Sequence, residues 1–269
     1  MKKSGGKKKS VKETEIKAPS ENPQKKTKNP WWMTVLYVLG LSAFVFAAVI
    51  GVQFLLSLII SFLFTKIISI EALTTPLANS FFSVISYGLS LLIVIVLPPL
   101  IFKDKITKVT RERLGLKGLP TWTDVGLAPI GYIVSTLIAA GLTALFNLTN
   151  WFNAEEAQDL GYSPYMQGWE RGLAFIMLAV IAPIVEEIIF RGWLYGKLRV
   201  KIPKWVAILV TSLLFGLVHL QWNVGITVFA MSVVNCLLRE VTGTIYAGIL
   251  VHILNNGIAF YLVYVMGMG

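Results

Sequence analysis

Cysteine and charge are both scarce in this chain of 269 residues, and each shortage removes a class of function. The one cysteine, Cys236, rules out an internal disulfide framework and a cysteine-rich metal cage, and argues against redox chemistry. Charged residues make up only 14%, against about 25% in a typical globular chain, while hydrophobic residues reach 55% and the mean hydropathy is +0.70. A soluble fold has no means of covering so much apolar surface. Nor does any run alternate polar and apolar residues for long enough to build a membrane β-barrel. What the chain does have is a series of apolar stretches near or above the roughly 18 to 20 residues that cross a bilayer. The expected fold is an all-α polytopic membrane protein with about seven transmembrane helices.

The positive charge is unevenly placed. Residues 1–29 hold ten lysines against three glutamates, a net of +7 out of +10 for the whole chain. Such a lysine-rich segment with Ser, Pro and Asn cannot bury a core and is expected to be a disordered tail. Its position ahead of a first span favours a cytoplasmic tail lying on anionic lipid over a nucleic-acid partner. The long apolar run that follows is unlike a cleavable signal peptide.

Seven apolar runs are legible, at about 31–65, 80–102, 125–148, 171–195, 205–220, 223–238 and 244–266. The first is opened by Trp31 and Trp32 and reads as one long or tilted span. With the tail inside, 21 of the 24 lysines and arginines fall on the cytoplasmic side, and only Lys66 and Arg171 fall outside, with Arg191 inside the fourth run. The positive-inside rule therefore predicts a cytoplasmic N-terminus. The basic tail and the absence of a transit signature favour a bacterial plasma membrane. The expected organisation is a tail over 1–29, N-terminal helices and loops over 30–170, and a core over 171–269.

Charges within such runs are costly, about 2.5–3.5 kcal/mol for a central one on insertion scales, so each needs a reason. Between Arg171 and Arg239 the only carboxylates are Glu186 and Glu187, and the only two histidines, His219 and His252, lie in other runs. Glu187 and Arg191 stand four apart and can pair along one helix face, while Glu186 is rotated about 100° from Glu187 and points elsewhere. His252 and Asn256 share a stripe with Gly248, and Phe215 and His219 make the same four-residue step. Singly, these residues read as structure: an ion pair that locks helices, interhelical hydrogen-bond glue, and packing for Phe215. Asn235 and Gln53 also read as glue. One difficulty is depth, because rise arithmetic places His252 about 12 Å from the cytoplasmic end and His219 nearer 24 Å. Straight helices keep them apart unless one tilts, starts deeper or breaks, and Pro183 offers a break.

Taken together, Glu186-Glu187-Arg191, Phe215-His219 and His252-Asn256, each motif on its own apolar run and in that order, resemble the CAAX protease and bacteriocin-processing (Abi) family of intramembrane glutamic endopeptidases. The likeness covers roughly residues 171–258. It implies hydrolysis of peptide bonds in membrane-associated or secreted peptides, without a metal or other cofactor. In that scheme Glu186 and His219 activate a water, His252 and Asn256 stabilise the oxyanion, and Glu187 and Arg191 hold their helix, with Phe215 in support. The alternative is a non-catalytic bacteriocin-immunity or membrane scaffold protein that keeps these residues as a helix lock. A zinc site built from both histidines and a glutamate is chemically conceivable, although the His-Glu-x-x-His spacing is absent. A proton-coupled transporter fits less well, because no internal repeat is visible.

Overall fold

The computed structural model describes residues 30–66, 75–102, 109–156, 162 and 165–267. The tail over 1–29 lies outside the described residues. The described chain is helical, in the order α1 (Trp31–Lys66), α2 (Pro76–Ile95), α3 (Leu97–Phe102), α4 (Trp122–Phe146), α5 (Gly168–Lys201), α6 (Lys204–Leu217), α7 (Trp222–Thr242) and α8 (Tyr246–Tyr264). Among the described residues, six apolar stretches are long enough to cross a membrane: α1, α2 continued into α3, α4, α5, α7 and α8. The fold is therefore an all-α polytopic membrane protein. The fifth expected span is the exception, because α6 has only 14 residues. At 1.5 Å per residue it measures about 21 Å, short of the roughly 30 Å hydrocarbon core.

Local chemistry sets the helix ends. Pro76 opens α2 behind the Thr75 cap, where its missing N–H costs nothing. Thr121 and Asp124 form a capping box at the start of α4, and buried Asp124 also accepts from the Thr244 hydroxyl at 3.2 Å. That bond ties the start of α4 to the turn between α7 and α8. Gly243, in the left-handed region at φ 71°, closes α7.

The helix α1 is one continuous element of 36 residues, as its unbroken apolar run predicts, and at about 54 Å it exceeds the bilayer core. Gln53 is exposed on it, so within this chain it does not act as glue. The centre of the molecule is α7, which packs most extensively on α4 and α6, while α8 lies against α4 and α5. Close approaches are made by glycines. A Cβ on Gly216 would stand 2.8 Å from the Gly225 carbonyl oxygen, so α6 and α7 meet backbone to backbone. Gly131 plays the same part where α4 meets α7 and α8, with Val251 and Leu238 at 2.8 and 3.0 Å from the position of a Cβ.

The helix α5 is continuous but irregular. Two π-helical stretches, Ile176–Ile181 and Ile188–Tyr195, flank the α-helical turn Ala182–Glu187. The deviation expected at Pro183 is thus taken up in wide turns on either side, and Pro183 itself sits in the first turn of the α-helical segment. Each wide turn shifts the hydrogen-bond register and re-aims the side chains that follow.

Candidate active site

Two features, the buried start of α8 and the early end of α6, solve the depth problem. The helix α8 starts below the surface: Ile245, just before it, is buried and donates its N–H to the Gly115 carbonyl at 3.0 Å. Gly115 adopts φ 75°, and a Cβ there would come within 3.2 Å of Ile245 Cγ2, so the loop 109–118 forms a floor that only glycine permits. At the other end, α6 stops early and His219 falls in the tight turn before α7, followed by Leu220 at φ 56°. Gln221 and Asn223 fix that turn by donating to the Glu156 carbonyl at 3.0 and 2.7 Å. Both imidazoles consequently pack edge-on against one ring, that of Phe215, at centroid distances of 5.1 Å for His219 and 5.7 Å for His252.

The adjacent carboxylates occupy opposite environments. Glu187 is fully buried, and its Oε1 faces three donors: Arg191 Nη1 at 2.9 Å, Asn235 Nδ2 at 2.9 Å and His252 Nδ1 at 3.1 Å. Its Oε2 faces Gly248, where a Cβ would stand at 3.2 Å. Asn235 also donates to the Gly248 carbonyl at 3.2 Å, so one amide clamps α5, α7 and α8 together. The Arg191 guanidinium, itself fully buried, lies 4.2 Å from the centre of the Phe215 ring. Charge is therefore matched pairwise, as a buried ion requires.

Glu186 keeps 18% of its side chain exposed, against 0% for Glu187. Its Oε1 accepts from the Tyr87 hydroxyl at 3.1 Å, and its Oε2 lies 3.6 Å from His252 Nε2. His252 thus stands between the two carboxylates, one on each ring nitrogen. Since an ionised carboxylate only accepts, Nδ1 carries the proton toward Glu187, and Nε2 is turned toward Glu186. The same logic applies to His219, whose Nδ1 lies 2.8 Å from the Phe215 carbonyl oxygen. A carbonyl cannot donate, so Nδ1–H points at it and Nε2 is the nitrogen left for other work.

Of the sequence-derived residues, Glu186, Glu187, Arg191, Phe215, His219 and His252 converge on one locus. Asn256, one turn beyond His252 on α8, is bonded elsewhere: its Nδ2 donates to the Leu178 carbonyl at 3.0 Å, and its Oδ1 accepts from Asn255. Leu178 lies in the first π-helical stretch, where the altered register exposes carbonyls that a regular helix would occupy. One N–H of the Asn256 amide is thereby used and the other is not committed to that bond.

Asn235 is interhelical glue as expected, and the carboxylate it holds is that of Glu187. One residue escaped the sequence reading. Tyr87 was not singled out, although Ser80, Ser83, Tyr87 and Ser90 recur at steps of three and four, a polar stripe along an apolar helix. Among the described residues, no three His, Cys, Asp or Glu side chains are grouped as a metal site would require.

Comparison with known proteins falls on the same stretch. Residues 168–258 match the family described as "Type II CAAX prenyl endopeptidase Rce1-like". The chain is 33% identical over 84 residues to "Putative membrane peptidase YdiL" of Bacillus subtilis (strain 168), covering 31% of this chain and 34% of that protein. It is 29% identical over 101 residues to "UPF0177 protein YbdI" of Lactococcus lactis subsp. lactis (strain IL1403), covering 37% of this chain and 52% of that protein. The matches thus span between a third and a half of these curated relatives. No solved structure gives a significant match. The likeness to this family thus falls on the region that carries all three motifs.

Proposed function

We propose that the protein is an intramembrane endopeptidase in which Glu186 is the general base of a metal-independent hydrolysis. The observation that carries this reading is the split between the two carboxylates: Glu187 is consumed by a buried ion pair, whereas Glu186 is partly open beside His252. In the reaction, Glu186 Oε2 takes a proton from water as the water oxygen bonds to the scissile carbonyl carbon. His219 orients that water through Nε2. Glu186 then passes the proton to His252 Nε2, across the 3.6 Å gap. Glu187 balances the resulting imidazolium from the far side of the ring, as a carboxylate behind a catalytic imidazole does in hydrolytic triads. The imidazolium and the remaining N–H of Asn256 face the oxyanion. Collapse of the tetrahedral intermediate breaks the C–N bond, and the proton leaves with the amine.

The substrates proposed are peptides or protein tails that enter the membrane, and the multi-pass protein would sit in a bacterial plasma membrane with its N-terminus in the cytoplasm. The folded part favours that orientation. Arg239 reaches the Arg113 carbonyl at 2.9 Å, and Arg199 pairs with Glu240, so basic residues of three separate segments gather at one end. Anionic lipid is the proposed partner of that end and of the tail.

The test is mass spectrometry of peptides released from membranes that contain the wild-type chain or Glu186→Gln. Peptides present only with wild type, and still produced after exhaustive chelation, are the expected result. Identical peptide sets would refute hydrolysis and leave the immunity or scaffold reading. Loss on chelation alone would instead install a metal.

A further inference from the structure

We propose that Tyr87, on α2, is a positioning residue that fixes Glu186 and selects which of its oxygens acts on water. The inference rests on the reading of Glu186 as the base. The Tyr87 hydroxyl donates to Oε1 at 3.1 Å, and a phenol in contact with a carboxylate leaves only the other oxygen, Oε2, to meet His252 and the water. Without it, the carboxylate of Glu186 is free to turn about its last torsion, because terminal carboxylate torsions are broad. Glu187 needs no such device, since three donors already converge on it.

The geometry is built rather than incidental. Tyr87 belongs to the polar stripe Ser80, Ser83, Tyr87 and Ser90, and Ser80 and Ser90 are both buried. Seven residues before Tyr87 on the same face, Ser80 and the Tyr162 hydroxyl lie 3.1 Å apart, a second polar contact on that stripe. The helix packs on α5 along both π-helical stretches and the turn between them. Tyr87, Ser80 and Tyr162 lie outside residues 168–258, so the part of the chain that carries no family motif supplies a hydrogen bond to the reacting centre.

The test uses the full-length protein in liposomes and, as probe, a peptide that wild type releases and Glu186→Gln does not. Tyr87→Phe keeps the ring and removes only the donor. It is expected to lower kcat by about 10-fold to 10²-fold, the scale of a small misplacement of a catalytic group, with KM unchanged. In a Glu186→Asp background, whose shorter arm withdraws the carboxylate from the phenol, Tyr87→Phe should add no further loss. Ser80→Ala, which disturbs the same helix without touching Glu186, should keep wild-type kcat. Normal kcat in Tyr87→Phe, with Glu186→Gln inactive, overturns the role of Tyr87 and leaves the base intact. A rise in KM alone, an equal loss in Ser80→Ala, or full additivity in the Asp background also overturns it. Activity in Glu186→Gln would instead remove the base itself.

Discussion

The helices before residue 150 and those after residue 168 use the membrane in different ways. In α1 and α2 only 17% of the most apolar window is buried within the protein, whereas in α5 and α7 the share is 44%. The early helices turn most of their side chains outward, where leucine, phenylalanine and valine suit lipid. The later ones turn inward and enclose Arg191, Glu187, Asn235 and His252, each at most 1% exposed. Burying such groups is unfavourable unless each finds a partner, and the partners come from three helices at once. The difference teaches that clustered polar residues of the later helices mark the interior, whereas the lone Gln53 of α1 stays outside. The two halves meet where α4 packs on α7 and α8, and at Tyr87, whose hydroxyl reaches Glu186.

The contrast makes graded predictions. Arg191→Ala leaves Glu187 buried and without its cation, so it should destabilise the protein by about 3–5 kcal/mol, enough to deplete it from membranes. Quantitative blotting of membrane fractions checks this, and normal accumulation would show that Glu187 does not depend on that pair. Asn235→Ala removes two hydrogen bonds but no charge, and should cost about 1–3 kcal/mol, read as a lower melting temperature in detergent. At the other extreme, Leu137→Ala on the outer face of α4, where Leu137 is 68% exposed, should change stability by no more than about 0.5 kcal/mol. A large loss there would mean that another surface covers this face.

Much of this was legible in the sequence, and the reasons are physical. Apolar length gives spans directly, so α1, α4, α7 and α8 fall close to their predicted runs. The i,i+4 spacing gave the Glu187–Arg191 pair, because that contact lies within one helix turn. Contacts between helices were less readable. Rise arithmetic separated His219 from His252, because it assumes straight helices that begin at the membrane surface. It could not anticipate the buried start of α8 beneath Gly115, nor an α6 of only 14 residues. The π-helical turns of α5 leave no simple mark in composition. Tyr87 lies 99 residues from its partner, and only the three-and-four spacing of its polar neighbours hinted that this face turns inward.

The central claim is that two neighbouring carboxylates have separate duties, one to hold the fold and one to do chemistry. It is tested most directly by purifying Glu186→Gln and Glu187→Gln side by side and recording the melting temperature and peptide turnover of each. The account predicts that Glu186→Gln melts like wild type with no detectable turnover, while Glu187→Gln melts well below it. Turnover by Glu186→Gln, or equal melting of Glu187→Gln and wild type, would contradict it.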